Sequence, residues 1–438
     1  MSQDDRGSGR SSSTRRRFLH CASLGTLGIA GCTELDPRRF DPRDRGPDEP
    51  ESDFSTLIAT WRGHDPATTM TLQWLTPETE LDESVSVELS PEDDTSTRRV
   101  QTEVAQFGGS DLNRHRADVT DLAPDARYRI AIDGAELEGA VRTAPEDVTE
   151  PITFAEGGDV GTSSDVPPLH EQAAVWDPLF AVVGGDLAYA DGWHEGRWIA
   201  FLEHWNEYMR SGNRLIPLVA AIGNHEVRGG QGETPDEAPF FYTLFDNPHR
   251  EHAYWALDVA DELSILLLDS NHTTAVVGEQ TDWVEDALAE RTDRKHLLAV
   301  YHVPIYPSVR EIDDRGREAM RQHWVPLLDE YDVDVAFEHD DHAYKRTHRL
   351  AGGEPDPDGV LYLGDGAWGR GTRDVHSPDE RSYLAVSESE LHVIRVALSP
   401  DGSRQFRAVG PDENRVDQFD YESAHGSPDS GLENLPAD

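Results

Sequence analysis

The sequence predicts an α/β protein in which a small all-β domain precedes a larger domain of alternating strands and helices. From about residue 54 to 145, apolar residues alternate with polar ones, which is the period of half-buried strands. From residue 151, continuous apolar runs separated by helical segments replace this alternation, as in strands that are covered on both faces. A chain of 438 residues has room for both domains.

The alternating segments of the first domain predict short strands of an antiparallel β-sandwich. The alternation is clearest at residues 70–74, 85–89 and 128–132, and turn signals such as 91–94 (PEDD) separate the strands. Residues 122–124 (LAP), shortly before Tyr128, and 142–145 (RTAP) resemble the end of a fibronectin type III-like module. We therefore assign residues 54–148 to a small all-β, fibronectin-III-like domain with a structural role.

The second domain, residues 150–409, is predicted to contain helices as well as strands. Trp198, Phe201, Leu202, Trp205 and Tyr208 recur at helical spacing, and residues 281–290 show a second amphipathic pattern. We interpret their tryptophans as core residues. A strand at about 391–398 is expected to close the domain, and the polar, acidic residues 410–438 are predicted to form a disordered tail.

The composition excludes several classes of protein. The chain carries 85 acidic and 39 basic residues, a formal net charge of −46. Such a chain repels itself at low ionic strength, so we expect a protein of a salt-loving organism that needs salt screening. Nucleic acid is not expected as a partner, because no basic face is visible. Cys21 and Cys32 are the only cysteines, so a disulfide framework and a cysteine-based zinc site are excluded.

The N-terminal residues predict export. Residues 14–19 (TRRRFL) resemble a twin-arginine signal, and the apolar stretch that follows is too short to cross a bilayer. Residues 29–32 (IAGC) resemble a lipobox, in which Cys32 is lipidated. We assign residues 1–31 to a signal peptide and 32–53 to a disordered tether. The protein is expected at the outer face of the cell membrane as a lipoprotein, or secreted, with the lipid as its only membrane contact.

Five apolar runs of the second domain end in side chains that can bind metal ions. The carboxyl ends of strands are where sites assemble in α/β folds, and adjacent glycines leave room for an ion. Five such ends in succession therefore predict one metal site. The five strand ends lie at residues 156–161, 184–189, 223–226, 301–304 and 338–342.

This mixture of side chains is typical of a two-cation centre. Two cations about 3.5–4 Å apart need a shared carboxylate that offsets their repulsion. Asp186 is the natural bridge, because each of its oxygens can hold one ion. Tyr189 can coordinate as a phenolate only where a strongly charged ion lowers its pKa, which points to ferric iron.

These motifs resemble the calcineurin-like metallophosphoesterases, and specifically the purple acid phosphatase branch. Residues 159–161 (DVG), 185–189 (GDLAY) and 223–226 (GNHE) match its first three blocks, and His302 matches the fourth. Residues 342–346 (HAYKR) look like the fifth block, with lysine where glutamate is usual. The resemblance covers residues 150–370 well and the preceding sandwich loosely. It implies a four-layer α/β/β/α metallophosphoesterase sandwich.

The resemblance also implies how the ligands are shared. One metal would be held by Asp159, Asp186, Tyr189 and His342. The second would be held by Asp186, Asn224, His302 and Asp340. Asp340 stands where the family has the first histidine of Gly-His-x-His, so His339 is the alternative ligand if the backbone shifts locally. The implied cofactors are two metal ions, Fe plus Mn, Zn or a second Fe.

By this resemblance, the chain is an exported two-metal phosphatase that hydrolyses small phosphate monoesters. A hydroxide held by the metals attacks phosphorus, and His225 binds the phosphate or protonates the leaving group. The second pair of substrate-side histidines found in plant-like members is absent, since residues 308–315 contain no histidine. The alternatives are a phosphodiesterase on the same scaffold and a non-catalytic surface binding protein with a degenerate metal site. Substrate, metal identity and oligomeric state are left open.

Overall fold

The computed structural model describes residues 56–62, 65–77, 85–133, 137–245 and 251–422. The predicted signal peptide, Cys32 and the tether lie outside these ranges, as do residues 423–438. Within the described ranges, none of the helices has both the length and the apolar character needed to span a membrane.

The first domain is an all-β sandwich, as the alternating pattern predicted. Its strands are β1 (Ile58–Thr60), β2 (Met70–Pro77), β3 (Ser86–Pro91), β4 (Arg98–Gln101), β5 (Glu103–Gln106), β6 (Leu112–Val119), β7 (Arg127–Ile132) and β8 (Glu138–Arg142). One antiparallel sheet has the order β1-β2-β6-β5, and the other contains β8-β7-β3-β4. Leu72 and Val119 of the first sheet belong to the same core as Val87 and Ile130 of the second. The inward-facing residue of each alternating pair therefore forms the core.

The second domain alternates strands and helices. Its first half contains β9 (Ile152–Gly157), α1 (Val166–Ala174), β10 (Ala181–Val183), α2 (Glu195–Tyr208), β11 (Arg210–Ser211), β12 (Arg214–Leu215), β13 (Leu218–Ala220), α3 (Pro239–Phe245), β14 (Trp255–Val259) and β15 (Leu263–Leu267). Its second half contains α4 (Thr281–Ala289), β16 (His296–Val300), α5 (Arg315–His323), α6 (Val325–Glu330), β17 (Val335–Glu338), β18 (Tyr344–Ala351), β19 (Glu354–Pro355), β20 (Val360–Gly364), β21 (Leu384–Glu388), β22 (Val393–Leu398), β23 (Ser403–Val409) and β24 (Arg415–Glu422). Both predicted helices are present, as α2 and α4.

Two mixed sheets form the centre of this domain. One has the order β13-β10-β9-β22-β23-β24, and the other runs β14-β15-β16-β17-β20-β18-β19, with β21 beside β18. Phe154 and Phe337 meet between the sheets, with ring centroids 6.5 Å apart. Helices α1 and α2 cover the outer face of the first sheet, and α4 to α6 cover that of the second. The four-layer α/β/β/α arrangement is confirmed.

The burial of single strands explains their continuous apolar runs. In β17, Val335 and Phe337 pack between the two sheets, whereas Ala336 packs against the outer helices. A strand covered on both faces has no solvent side, so alternation with polar residues disappears.

The two domains share one sheet. Strand β12 pairs in parallel with β8 of the sandwich, with Arg214 opposite Ala140, and β11 pairs with β12. The sequence run 215–222 is therefore split: its start extends the sandwich, and β13 joins the β13-β10-β9-β22-β23-β24 sheet of the second domain. Pro217 stands between these two strands and cannot donate a ladder hydrogen bond.

The prediction that structure ends at about residue 410 is wrong for residues 415–422. These residues form β24, which pairs antiparallel with β23, so the strand at 393–398 is not the last one. Phe419 stacks on Phe406 with ring centroids 4.9 Å apart, and the Arg346 guanidinium lies 4.5 Å from the Phe419 centroid. Three spaced apolar residues, Val416, Phe419 and Tyr421, are enough to anchor this acidic strand on the core.

Candidate metal centre

The sequence-predicted ligands follow strands of both sheets. Asp159, Asp186 and Asn224 follow β9, β10 and β13, which run parallel to one another in the first sheet. His302 and Asp340 follow β16 and β17, which run parallel in the second sheet. Side chains that follow the strands of one sheet contact side chains that follow the strands of the other. The carboxyl ends of the two groups of strands therefore lie at the same end of the stacked sheets.

The backbone at these strand ends is strained. Asp159, Asp186, Tyr189, Asp340 and His342 all have positive φ angles, between 55° and 70°. Non-glycine residues adopt this left-handed conformation rarely, and its cost is concentrated at functional sites. Close packing at this site also requires a glycine: a Cβ at Gly366 would lie 1.8 Å from Asp159 Oδ2.

One half of the centre is formed by Asp159, Tyr189 and His342, which we call the tyrosine half. The Tyr189 hydroxyl lies 2.9 Å from Asp159 Oδ1 and 3.1 Å from His342 Nε2. His342 Nε2 and Asp159 Oδ1 are 3.0 Å apart. Three potential ligand atoms from three separate strand ends therefore converge.

The other half is formed by Asp186, Asn224 and His302, which we call the asparagine half. His302 Nε2 lies 3.3 Å from Asp186 Oδ1 and 3.2 Å from Asn224 Oδ1. The other ring nitrogen, Nδ1, lies 3.0 Å from the carbonyl oxygen of Gly184 and donates to it, so Nε2 is the nitrogen that faces the site.

Asp186 lies between the two halves. Ligand atoms of Asp159, Asp186 and His302 fall within 4.8 Å of one another, and all three residues are buried. Asp186 Oδ2 is buried without a hydrogen-bond partner in the described part of the chain. A buried carboxylate oxygen without a partner is costly, and a cation would satisfy it. The residues present therefore fit a metal ion held at Asp186.

The pKa values follow from the concentration of carboxylates. Burial opposes ionisation of Asp186, but His302 and His225 outweigh it and lower its pKa. Burial also favours a neutral His302, yet Asp186 and Asp159 raise its pKa to about 10. Burial and Asp159 raise the pKa of Tyr189 well above its usual value. Phenolate coordination by Tyr189 therefore needs a cation close to its oxygen.

Asp340 and His339, the alternative fourth ligands of the asparagine half, both have other partners. His339 lies between Glu156 and the Tyr301 carbonyl oxygen, at 2.7 and 2.9 Å from its ring nitrogens. Its ring fills a space left by glycines, since a Cβ at Gly184 would lie 1.9 Å from it. In this structure His339 therefore lies outside the group of Asp159, Asp186 and His302.

The Asp340 carboxylate contacts Arg310, and its Oδ1 is 4.0 Å from His302 Nε2. It does not join the compact group of Asp159, Asp186 and His302. Arg310 is a residue that sequence reasoning missed. Its position after β16 gives no motif, and only the fold brings it to the strand that carries Asp340.

His225 lies at the edge of the centre, with Asp191 behind it. Its Nδ1 is 2.5 Å from Asp191 Oδ1, and its Nε2 is 3.9 Å from Asp186 Oδ2. The ring packs on Tyr189 with centroids 4.4 Å apart, and the side chain is 34% exposed. Burial lowers the pKa of His225, but Asp186 and Asp191 raise it to a net value above normal. Sequence reasoning also missed Asp191.

Glu226 and Arg370 support the centre, and sequence reasoning assigned neither a role, although Glu226 lies in the 223–226 (GNHE) block. The Glu226 carboxylate accepts hydrogen bonds from the backbone N–H groups of Gly223, Asp186 and Leu187, at 2.8 to 2.9 Å. Burial and Asp186 raise its pKa to about 7. The Arg370 guanidinium lies 4.4 Å from the centroid of the Tyr189 ring. These contacts fix the loops that carry Asp186 and Tyr189.

A cavity of about 490 Å³ lies between the two domains. Its lining includes Gly108 of the sandwich and Trp193, His194 and Arg228 of the second domain. Trp193 is 56% exposed, which is unusual for so large an apolar side chain. Residues 192–196 line the cavity, and they follow directly in the chain after Asp191, which contacts His225.

Both domains match protein-family models. Residues 55–147 match the purple acid phosphatase N-terminal domain, and residues 158–344 match the calcineurin-like phosphoesterase domain. The second match contains every predicted ligand.

Individual relatives agree with these matches. Purple acid phosphatase 18 of Arabidopsis thaliana is 28% identical over 262 residues, covering 58% of this chain and 57% of that protein. Purple acid phosphatase 21 of the same plant is 27% identical and covers 62% of each chain. The chain thus spans about three fifths of the length of these two curated relatives. An uncharacterized protein of Mycobacterium tuberculosis is 25% identical, covering 77% of this chain and 72% of its own.

Solved structures share the fold. The purple acid phosphatase from yellow lupin (Lupinus luteus) seeds superposes with a TM-score of 0.69 at 15% identity, covering 86% of this chain and 77% of the lupin chain. PhoD superposes with a TM-score of 0.63 at 12% identity, covering 86% and 92%. The two family matches and these relatives identify the chain as a member of the purple acid phosphatase-like calcineurin-like phosphoesterases, a family of hydrolases.

Proposed function

We propose that this protein is a two-metal phosphatase that hydrolyses small phosphate monoesters. The observation that carries the proposal is the buried group of Asp159, Asp186 and His302, in which Asp186 Oδ2 is left without a partner among the described residues. A buried pair of aspartates beside a histidine is costly in a folded protein unless a cation neutralises it.

The two halves of the centre divide the ligands. Asp159, Tyr189 and His342 would hold one ion, Asn224 and His302 the other, and Asp186 would join them. Two bound ions would supply the positive charge that activates a water nucleophile and offsets the charge on the phosphoryl oxygens. Tyr189 favours iron in the tyrosine half, with Mn, Zn or a second Fe in the other.

His225 would bind the phosphate or protonate the leaving oxygen. Asp191 holds Nδ1, so the proton available for transfer is the one on Nε2, which faces the centre 3.9 Å from Asp186 Oδ2. Asp186 and Asp191 raise the pKa of His225 against the effect of burial, so both carboxylates favour the protonated imidazole that this role needs. The ring packing on Tyr189 restrains its orientation.

The cavity beside Trp193 would receive the organic group of the ester. Its 490 Å³ accommodates a group of nucleoside size, and Trp193 and Arg228 offer stacking and hydrogen bonding. The same volume could hold one arm of a phosphodiester, so a phosphodiesterase is the second candidate function. Comparing the hydrolysis rates of a phosphate monoester and a phosphate diester distinguishes the two candidate functions.

We also propose that the protein acts outside the cytoplasm. The support is the twin-arginine-like motif at residues 14–19 and the lipobox-like motif that ends at Cys32. A charge of −46 suits a surface bathed in concentrated salt. Labelling of Cys32 by a radioactive lipid precursor in cells, compared with Cys32→Ala, would test the anchor; equal labelling of both would contradict it.

The central experiment joins metal content to activity on one sample. The protein, purified in molar salt and reconstituted with metals, is expected to bind two ions per chain, to absorb visible light, and to hydrolyse phenyl phosphate faster than bis(p-nitrophenyl) phosphate. Faster cleavage of the diester would favour the second candidate function. One ion or none, with no hydrolysis of either ester, would leave a non-catalytic binding protein with a degenerate site.

A further inference from the structure

We propose that Arg310 binds the phosphoryl group of the substrate, and that Asp340 and Asp341 position its guanidinium while Asp340 binds no metal ion. This inference rests on the proposed phosphatase function and adds a specific anion-binding residue to it. It also explains why the strand end at β17 carries two adjacent aspartates.

Both aspartates anchor Arg310. The Arg310 side chain, through Nη2, donates hydrogen bonds to the carboxylate of Asp340 and to its carbonyl oxygen, the latter at 3.1 Å. Arg310 Nε lies 3.4 Å from Asp341 Oδ1. The buried Asp341 carboxylate also accepts the backbone N–H of Val309 at 2.6 Å and that of Arg310 at 3.3 Å. The loop and the guanidinium are therefore held at several points, which limits the entropy lost when an anion binds.

The guanidinium is placed beside the metal-binding atoms. Asp340 Oδ1, its acceptor, is 4.0 Å from His302 Nε2, and the backbone N–H of Asp340 donates to Asp159 Oδ2 at 2.9 Å. Arg310 thus contacts Asp340, and Asp340 in turn approaches a residue of each half of the centre, His302 and Asp159. Its side chain is 26% exposed, whereas that of Asp340 is 10% exposed, so the arginine retains an open side.

The hydrogen-bonding capacity of Arg310 is not exhausted. Nη2 and Nε face the two aspartates, and Nη1 has no acceptor within the described ranges. Arginine presents its donors in a planar fork that matches phosphate oxygens, and it remains charged at any working pH. A protein with a net charge of −46 repels anionic substrates, so fixed positive charge at the site is needed to hold them.

The charge of Asp340 is already offset by arginines. Besides Arg310, Arg317 Nη2 lies 4.0 Å from Asp340 Oδ2, and Arg373 Nη1 donates to the Asp340 carbonyl oxygen at 2.9 Å. A metal ion at Asp340 would have to compete with Arg310 for the same oxygen. Asp186 Oδ2, by contrast, accepts no hydrogen bond within the described ranges, and the nearest cationic nitrogen, His225 Nε2, is 3.9 Å away.

The test compares Arg310→Gln, Arg310→Lys and Asp340→Asn with wild type, each loaded with metals. Arg315→Gln is the matched control, because Arg315 is an exposed arginine at the start of α5 in the same segment. For each protein we would measure metal ions per chain, kcat and KM for phenyl phosphate, and the Kd of inorganic phosphate by calorimetry.

We expect Arg310→Gln and Asp340→Asn to keep two ions per chain and to weaken phosphate binding by about 10- to 100-fold. KM should rise by a similar factor, with a smaller change in kcat. Arg310→Lys should recover part of the loss, because it keeps the charge but not the fork. The control should match wild type in every measurement.

Two results would overturn the inference. Loss of one ion in Asp340→Asn would make Asp340 a metal ligand, and unchanged phosphate affinity in Arg310→Gln would remove Arg310 from the site. If phosphate affinity is unchanged in Arg310→Gln while the wild type hydrolyses esters, the inference about Arg310 fails but the proposed function stands. If instead wild type binds phosphate through Arg310 but hydrolyses no ester, the anion site stands and the proposed function fails.

Discussion

The two halves of the candidate metal centre use their sequence-predicted ligands differently. In the tyrosine half, Asp159, Tyr189 and His342 contact one another within 3.1 Å. In the asparagine half, Asn224 and His302 converge on Asp186, but Asp340, the fourth expected ligand, contacts Arg310. The tyrosine half thus keeps its expected side chains together, whereas in the asparagine half Asp340 pairs with Arg310. We expect substrate or water to enter at the asparagine half, because catalytic metal sites keep a position that structural sites fill.

The largest effect is expected from Asp186→Asn, which removes the connection between the halves. Asparagine keeps the shape of the side chain but offers one neutral oxygen, so the repulsion between two ions is no longer offset. We expect fewer than two ions per chain and a loss of kcat/KM on the order of a thousandfold. Metal analysis and steady-state kinetics would check this, with Asp282→Asn on the exposed face of α4 as control. A variant that retained both ions would show that Asp186 is not the bridge.

The second prediction separates proton transfer from metal binding in both halves. His225→Asn removes the imidazole held by Asp191 while leaving every proposed ligand in place. We expect two ions per chain and a kcat lowered about 100-fold for an alkyl phosphate, because its leaving oxygen needs a proton. The decrease should be smaller for p-nitrophenyl phosphate, whose leaving group is stable as an anion. Equal decreases for the two substrates would argue against protonation by His225.

The third prediction concerns the tyrosine half alone. Tyr189→Phe deletes the hydroxyl that lies 2.9 Å from Asp159 and 3.1 Å from His342. We expect the visible absorption band to disappear while two ions remain, and kcat to change by about tenfold or less, since Asp159, Asp186 and His342 still bind the ion. Absorption spectra and metal content of the same sample would check this. Persistence of the band would mean that Tyr189 is not a ligand.

The smallest effect lies outside both halves. Trp193→Ala removes an aromatic surface from the cavity, and an aromatic pair contributes about 0.5–1.5 kcal/mol beyond area burial. We therefore expect KM for phenyl phosphate to rise about two- to tenfold, with metal content unchanged. Glycerol phosphate, which has no ring, should show no change. A similar rise in KM for both substrates would mean that Trp193 does not contact the ester group.

The sequence was most informative where one residue type has one physical meaning. The change from alternating to continuous apolar runs identified the two domains, because burial on one face or on both leaves different periods. The strand-end residues Asp159, Asp186 and His302 were recognised for a similar reason, since polar side chains directly after buried strands have few other uses. The structure brings these three together.

The sequence was least informative where a charged residue depends on a distant partner. Lys345 stands where the family has glutamate, and the structure shows it fully buried against Glu338 and Asp365. Arg310 and Asp340 form a comparable pair from residues 30 positions apart. A single sequence does not reveal which distant charges meet, and a buried charge carries no pattern of its own. The same limit hid β24, whose acidic composition concealed the apolar residues that pack on the core.

The sheet shared by the two domains determines how this protein unfolds. Besides the pairing of β8 with β12, Thr60 Oγ1 donates to the Leu218 carbonyl oxygen at 2.6 Å and Gln73 Nε2 to that of Leu244 at 2.8 Å. Removing the sandwich would expose a strand edge and buried backbone acceptors of the hydrolase domain. The sandwich is therefore not a detachable module, and the two domains should melt together as one cooperative unit.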